Sequence, residues 1–130
     1  MEQDPHEFPP PARTRVLFVC GRNQWRSPTA ERMYRDDPRV EVRSAGVSAG
    51  AKRRVSAKDL AWADLALVME RAHRSRIREQ FRDEPELPAI ESLDIPDEFE
   101  FMDAELIRLL REGVEECLGE WLGNDADAGD

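Results

Sequence analysis

The sequence predicts an α/β fold: a three-layer sandwich in which one four-stranded parallel sheet carries helices on both faces. Three observations carry this. Four short strand-like runs alternate with helix-like stretches, the pattern of right-handed βαβ crossovers. Two of the runs, RVLFVC at 15–20 and ADLALVM at 63–69, are continuously apolar, as strands covered on both faces are. A length of 130 residues allows one domain with one sheet, and not two cores.

The elements follow in order. Residues 1–13, MEQDPHEFPPPAR, are proline-rich and polar and read as a disordered or loosely packed tail. The domain proper spans 14–122. After the first strand, a helix is expected over 27–36, with Ser27 as its cap, Pro28 at its first position and Glu31 in its first turn. RVEVRS at 39–44 alternates polar and apolar side chains, as an edge strand does. AGVSAGA then forms a small turn, and SAKDLAW at 56–62 a short capped helix before the strand at 63–69. Residues 71–82 read as an arginine-rich helix with Ile77 and Phe81 facing inward and His73 on the surface. AIESLDI at 89–95 is the fourth strand. Asp103 caps a last helix whose Leu106, Leu110, Val114, Cys117, Leu118 and Trp121 share one side. The acidic stretch 123–130, GNDADAGD, reads as a second disordered tail.

Composition bounds the function. No apolar run approaches the ~20 residues of a membrane span. The first residues lack the basic and apolar regions of a secretion signal, and two cysteines cannot make a disulfide framework, so a cytoplasmic protein is expected. Residues 1–82 carry 17 basic and 11 acidic side chains, a net of +6, whereas 83–130 carry 2 and 17, a net of −15. An acidic chain without aromatic-basic interleaving argues against a nucleic-acid partner. No metal-ligand set surrounds His73, and neither metal nor cofactor is expected.

The chemistry is expected in the loop Cys20-Gly21-Arg22-Asn23-Gln24-Trp25-Arg26-Ser27, beyond the carboxyl end of the first strand, where open α/β sheets bind ligands. A strand-loop-helix turn aims successive N–H groups inward, and the helix N-terminus adds partial positive charge, so residues 21–26 suit an anion. Arg26 offers a planar fork matching phosphate oxygens. Thiolates are favoured near cations and helix N-termini, and one beside bound phosphate is a nucleophile aimed at phosphorus. Ser27 is placed to donate to that sulfur, and Asn23 to brace the loop.

The segment VLFVCGRNQWRSPTAE resembles the active-site signature of low-molecular-weight protein tyrosine phosphatases: a strand, Cys-x5-Arg-Ser-Pro, then Ala-Glu in the first helix. The likeness is tight over these 16 residues. It extends loosely over 15–122 through VRSAG (42–46), SAKDLAWADLALVME (56–70) and IPDEFEFMDAEL (95–106). It implies hydrolysis of a phosphorylated substrate, expected to be a phosphotyrosine protein. Cys20 would be the nucleophile, Arg26 would bind phosphate, Ser27 would assist the leaving thiolate, and Asn23 with Ser44 would hold the loop. The general acid would lie after the fourth strand, where Asp97, following Ile-Pro, is favoured over Asp94.

The sequence also departs from the family. Asp-Pro-Tyr at the acid becomes Asp97-Glu98-Phe99, Trp25 stands where many members have a second cysteine, and the segment between Ser44 and Ser56 is shorter than usual. Phe99 and Phe101 are the candidates for an aromatic substrate wall. Two other functions remain open at this point: an arsenate reductase on the same cradle, for which Cys117 is the one further cysteine, and a non-catalytic phosphate-binding module.

Overall fold

The computed structural model describes the backbone of residues 13–128 and the side chains of residues 13–123; the expected N-terminal tail lies outside this range but for Arg13. Eight elements alternate: β1 (Thr14–Cys20), α1 (Arg26–Tyr34), β2 (Val40–Gly46), α2 (Ala57–Trp62), β3 (Leu65–Val68), α3 (Arg71–Gln80), β4 (Ala89–Ser92) and α4 (Ala104–Ala128). All strands are parallel, in the order β2-β1-β3-β4. The chain leaves β1 toward one edge and returns past it to β3, so the switch point lies at the carboxyl end of β1.

Alternation along β1 explains the three layers. Val16, Phe18 and Cys20 face the core beneath α1 and α4, with Leu106, Leu110, Val114 and Leu118 of α4. Leu17 and Val19 face the other core, with Leu60 of α2 and Ile77 of α3. Both cores are largely apolar, and the central strand is buried on both sides.

Local signals place most helix ends. Ser56 and Asp59 form a reciprocal capping box at α2. Asp103 Oδ1 accepts from the N–H groups of Glu105 and Leu106 at α4. Ser27 does not cap α1. The helix starts at Arg26 behind Trp25, and the Ser27 hydroxyl bonds within the site instead. The fourth strand ends at Ser92 rather than 95, because Asp94 takes a left-handed φ of 54° that extended pairing cannot accommodate. The last helix continues as backbone past Leu122 to Ala128, into the stretch expected to be a tail. No proline interrupts it, and each added residue extends an existing hydrogen-bond ladder. Among the described residues no helix is long and apolar enough to cross a membrane.

Candidate active site

The loop between β1 and α1 is shaped by bonds to its outer side. The carbonyls of Cys20, Gly21 and Arg22 accept from the N–H groups of Val47, Ser48 and Lys52 at 2.9–3.0 Å. Among the described residues no protein acceptor takes the N–H groups of residues 21–25. Carbonyls turned outward and amides left free make a nest for an anion. Asn23 supports the turn in two ways. Its backbone sits at a φ of 55°, which asparagine tolerates better than most residues. Its buried Nδ2 donates to the hydroxyls of Ser27 and Ser44, each at 3.0 Å. Ser44 in turn donates to Glu31 Oε1 at 2.7 Å.

Ser27 Oγ lies 2.9 Å from Cys20 Sγ and 3.4 Å from the Ala45 carbonyl. Because Asn23 donates to it, the single Ser27 proton is available to the sulfur, its nearer neighbour. Arg26 is buried, only 4% exposed, and its charge is balanced by carboxylates. Its Nη1 donates to Glu70 Oε2 at 2.6 Å and to the Ile95 carbonyl at 2.7 Å. Its Nε lies 3.7 Å from Asp97 Oδ1. With Nη1 anchored, the Nε and Nη2 edge of the fork donates no hydrogen bond among the described residues and faces the pocket, with the Asp97 carboxylate beside Nε. Cys20, Arg22, Gln24, Trp25, Arg26 and Asp97 line one small pocket.

The two candidate acids separate here. Asp97 is in that pocket. Asp94 accepts from Ser92 Oγ at 2.7 Å and pairs with Arg71 at 3.6 Å, outside it. The expected aromatic wall does not form. Phe99 packs against the core under α4, and Phe101 lies over α1 with Pro28, Arg32 and Arg35. Trp25, from the loop itself, is the aromatic side chain at the pocket. His73 is also displaced from expectation. It is buried, its Nδ1 accepts from the Glu70 N–H at 3.1 Å, and its Nε2 lies 3.7 Å from Glu70 Oε2. Burial, then repulsion from Arg26, holds its imidazole below the usual range. The signal was present, since position 73 is four before Ile77 and shares its inward face.

Two further residues were missed. Glu70 follows an apolar strand at the same sheet edge as Cys20. Gly46 is paired with Cys20 across the sheet, and a Cβ there would stand 2.6 Å from the Gly21 carbonyl oxygen and 2.9 Å from the Asn23 nitrogen. The loop can pack on β2 only because position 46 has no side chain. Cys117 is remote. It shares a depression with Leu65, which pairs with Val16, about 13 Å of strand before Cys20. Burial pushes its thiol up to about 11.

A parallel α/β sheet with a cysteine at the base of an anion nest defines a phosphatase-like architecture, and comparison with known proteins agrees. The model of the low molecular weight phosphotyrosine protein phosphatase family matches residues 15–55. No curated protein sequence matches the chain. Among solved structures, the YwlE arginine phosphatase of Geobacillus stearothermophilus is 27% identical with a TM-score of 0.63, over 85% of this chain and 96% of that one. The low molecular weight protein tyrosine phosphatase SP-PTP of Streptococcus pyogenes is 18% identical with a TM-score of 0.69, over 82% and 92%. The tyrosine phosphatase Wzb of Escherichia coli K30, in complex with phosphate, is 22% identical with a TM-score of 0.65, over 84% and 99%. The chain is thus similar to the low-molecular-weight protein tyrosine phosphatases, in sequence over residues 15–55 and in fold over most of its length.

Proposed function

We propose that this protein is a cysteine-dependent phosphatase acting on phosphotyrosine in protein substrates. One observation carries the reading: the Cys20 sulfur, the free edge of the Arg26 fork and the Asp97 carboxyl face a single pocket floored by unpaired amides. The phosphate sits in the nest with two oxygens on the Arg26 edge. The Cys20 thiolate attacks phosphorus; the S–P bond forms as the P–O bond to the tyrosyl oxygen breaks, and Asp97 gives its proton to that oxygen. Water then attacks the phosphocysteine. Asp97 takes its proton, the S–P bond breaks, and inorganic phosphate and the thiolate are released. The Ser27 hydroxyl stabilises the departing sulfur.

Phosphoarginine is the second reading, favoured by the 27% likeness to an arginine phosphatase. The same thiolate would attack phosphorus, and Asp97 would protonate the departing guanidine nitrogen. The arsenate-reductase reading is weakened by the position of Cys117, at the far end of the sheet with a raised pKa, where it cannot resolve a disulfide at Cys20.

The test is hydrolysis of p-nitrophenyl phosphate, a phosphotyrosine peptide and a phosphoarginine peptide by wild type and Cys20→Ser. Turnover of the first two, abolished by Cys20→Ser while phosphate still binds, is expected. Turnover of the phosphoarginine peptide without the phosphotyrosine peptide assigns the second reading. Phosphate binding without turnover of any substrate leaves a binding module.

A further inference from the structure

Among the described residues, the large apolar side chains left exposed are Trp25, Phe101 and Met102, at 38%, 49% and 37%. Trp25 is far in sequence from the consecutive Phe101 and Met102, and Thr29 brings the two segments together. Thr29 Oγ1 donates to the Trp25 carbonyl at 2.6 Å and accepts from the Met102 N–H at 3.0 Å, which ties the 101–102 turn to the first turn of α1. Met102 holds a φ of 63°, a left-handed conformation that residues with a β-carbon disfavour. The turn keeps this conformation while presenting two apolar side chains to solvent. Exposed apolar side chains gathered beside a pocket suit an interaction site.

The patch continues in two directions. Trp25 also lines the Cys20 pocket. Phe101 shares a shallow depression with Pro28, Glu31, Arg32 and Arg35. Glu31 is engaged by Ser44, whereas Arg32 and Arg35 are exposed and form no ion pair among the described residues. Positions 28, 32 and 35 follow one face of α1 over seven residues, about 10 Å of helix. About three residues of extended chain cover that length. The order outward from the nucleophile is therefore anion nest, apolar ledge, then cationic end.

We propose that this ledge docks the substrate chain: an extended phosphoprotein segment with an apolar residue next to the phosphoresidue and a carboxylate about three residues away. The proposal rests on the phosphatase reading and adds the sequence around the phosphate. The occupant follows from continuity with the pocket and from charge. A phosphoprotein must leave the pocket across its rim; beyond the exposed Glu98, Glu100 and Asp103 that flank Phe101 and Met102, the unpaired Arg32 and Arg35 select an acidic residue at their end over a basic one.

The experiment compares phosphotyrosine peptides bearing Leu beside the phosphotyrosine and Glu three residues on, placed on either side, with peptides carrying Ala and Gln there. The apolar-acidic peptide in one orientation should show kcat/KM about tenfold higher, through KM, as expected for a few well-placed anchors. Phe101→Ser and Arg35→Gln should each remove most of that preference while leaving kcat/KM for p-nitrophenyl phosphate unchanged. Equal kcat/KM for all peptides overturns the proposal, as does a Phe101→Ser loss shared equally by p-nitrophenyl phosphate. So does a dimer in sedimentation that Phe101→Ser dissociates with peptide preference intact, since a second copy would then be the occupant. Failure of the phosphatase reading appears separately, as no turnover of any substrate. The same peptides are then compared by equilibrium binding to wild type, where equal affinities overturn the docking site on their own.

Discussion

Gly46→Ala isolates the fit of the anion loop against β2. The added methyl would stand 2.6 Å from the Gly21 carbonyl oxygen, 2.7 Å from Ala51 Cβ and 2.9 Å from the Asn23 nitrogen. Two of these neighbours are backbone atoms of the loop. Gly46 cannot retreat easily, because its N–H donates to the Arg53 carbonyl at 2.8 Å and its carbonyl accepts from Val55 at 2.9 Å. Reaching ordinary contact at 3.4 Å requires a displacement of about 0.8 Å, borne mainly by the loop. Overpacking of this kind costs about 1–3 kcal/mol. At this chain length that lowers Tm by roughly 4–12 °C. A shift of about 1 Å in the reacting groups lowers kcat by about 10²-fold. The assay is p-nitrophenyl phosphate turnover below the melting range, with phosphate protection of Cys20 from alkylation as a readout independent of turnover. Gly50→Ala is the control, since a methyl there meets nothing within 4 Å, and it should behave as wild type. Wild-type kcat, Tm and protection in Gly46→Ala would refute the claim that position 46 sets the loop.

Asp97→Ala should lower kcat for a phosphotyrosine peptide by about 10²–10⁴-fold. The loss should be smaller for p-nitrophenyl phosphate, whose leaving group needs no proton. Asp94→Ala should keep wild-type kcat because its carboxylate is held by Ser92 and Arg71, and the reverse pattern would transfer the role. For His73 the sign is set by its depressed pKa. The folded protein disfavours the charged imidazolium, through burial, then Arg26, with Arg76 adding, against opposing pulls from Glu70 and Asp97. The unfolded chain protonates below about 6.5. Stability should therefore fall as pH drops from 7.5 to 5.5, by at most about 1.4 kcal/mol per pH unit from this group. Urea midpoints across that range should vary less in His73→Gln; equal slopes would remove His73 as the titrating group.

Signals confined to a few neighbouring residues were legible in the sequence. The apolar runs gave the strands because a parallel sheet covered on both faces leaves no room for polar alternation at its centre. Cys20, Arg26 and Ser27 were legible because loop and helix start are contiguous. Ser27 shows the limit even there: its capping chemistry and its bond to sulfur use the same hydroxyl, and only the folded loop decides between them. Phe99 and Phe101 diverge because the turn ending at Met102, tied to Thr29, carries Phe101 over α1 while Phe99 packs inward.

The residues that were missed come from other strands, and the sheet explains why they belong together. Parallel pairing sets Cys20 against Gly46 and Val19 against Val68, so every strand ends at the same edge. The chain just beyond each strand must then converge there. Cys20 closes β1 and Gly46 closes β2. Glu70 comes two residues after β3, while Ile95 and Asp97 follow β4. Four of the five touch Arg26 or the anion loop directly, and Cys20 is the base of that loop. Once strand order is known, the candidate site can be read as the residue that closes each strand and the first few past it. That rule would have selected Glu70 and Gly46. It would also have left Phe101, nine residues past β4, to the outer rim where it docks against α1.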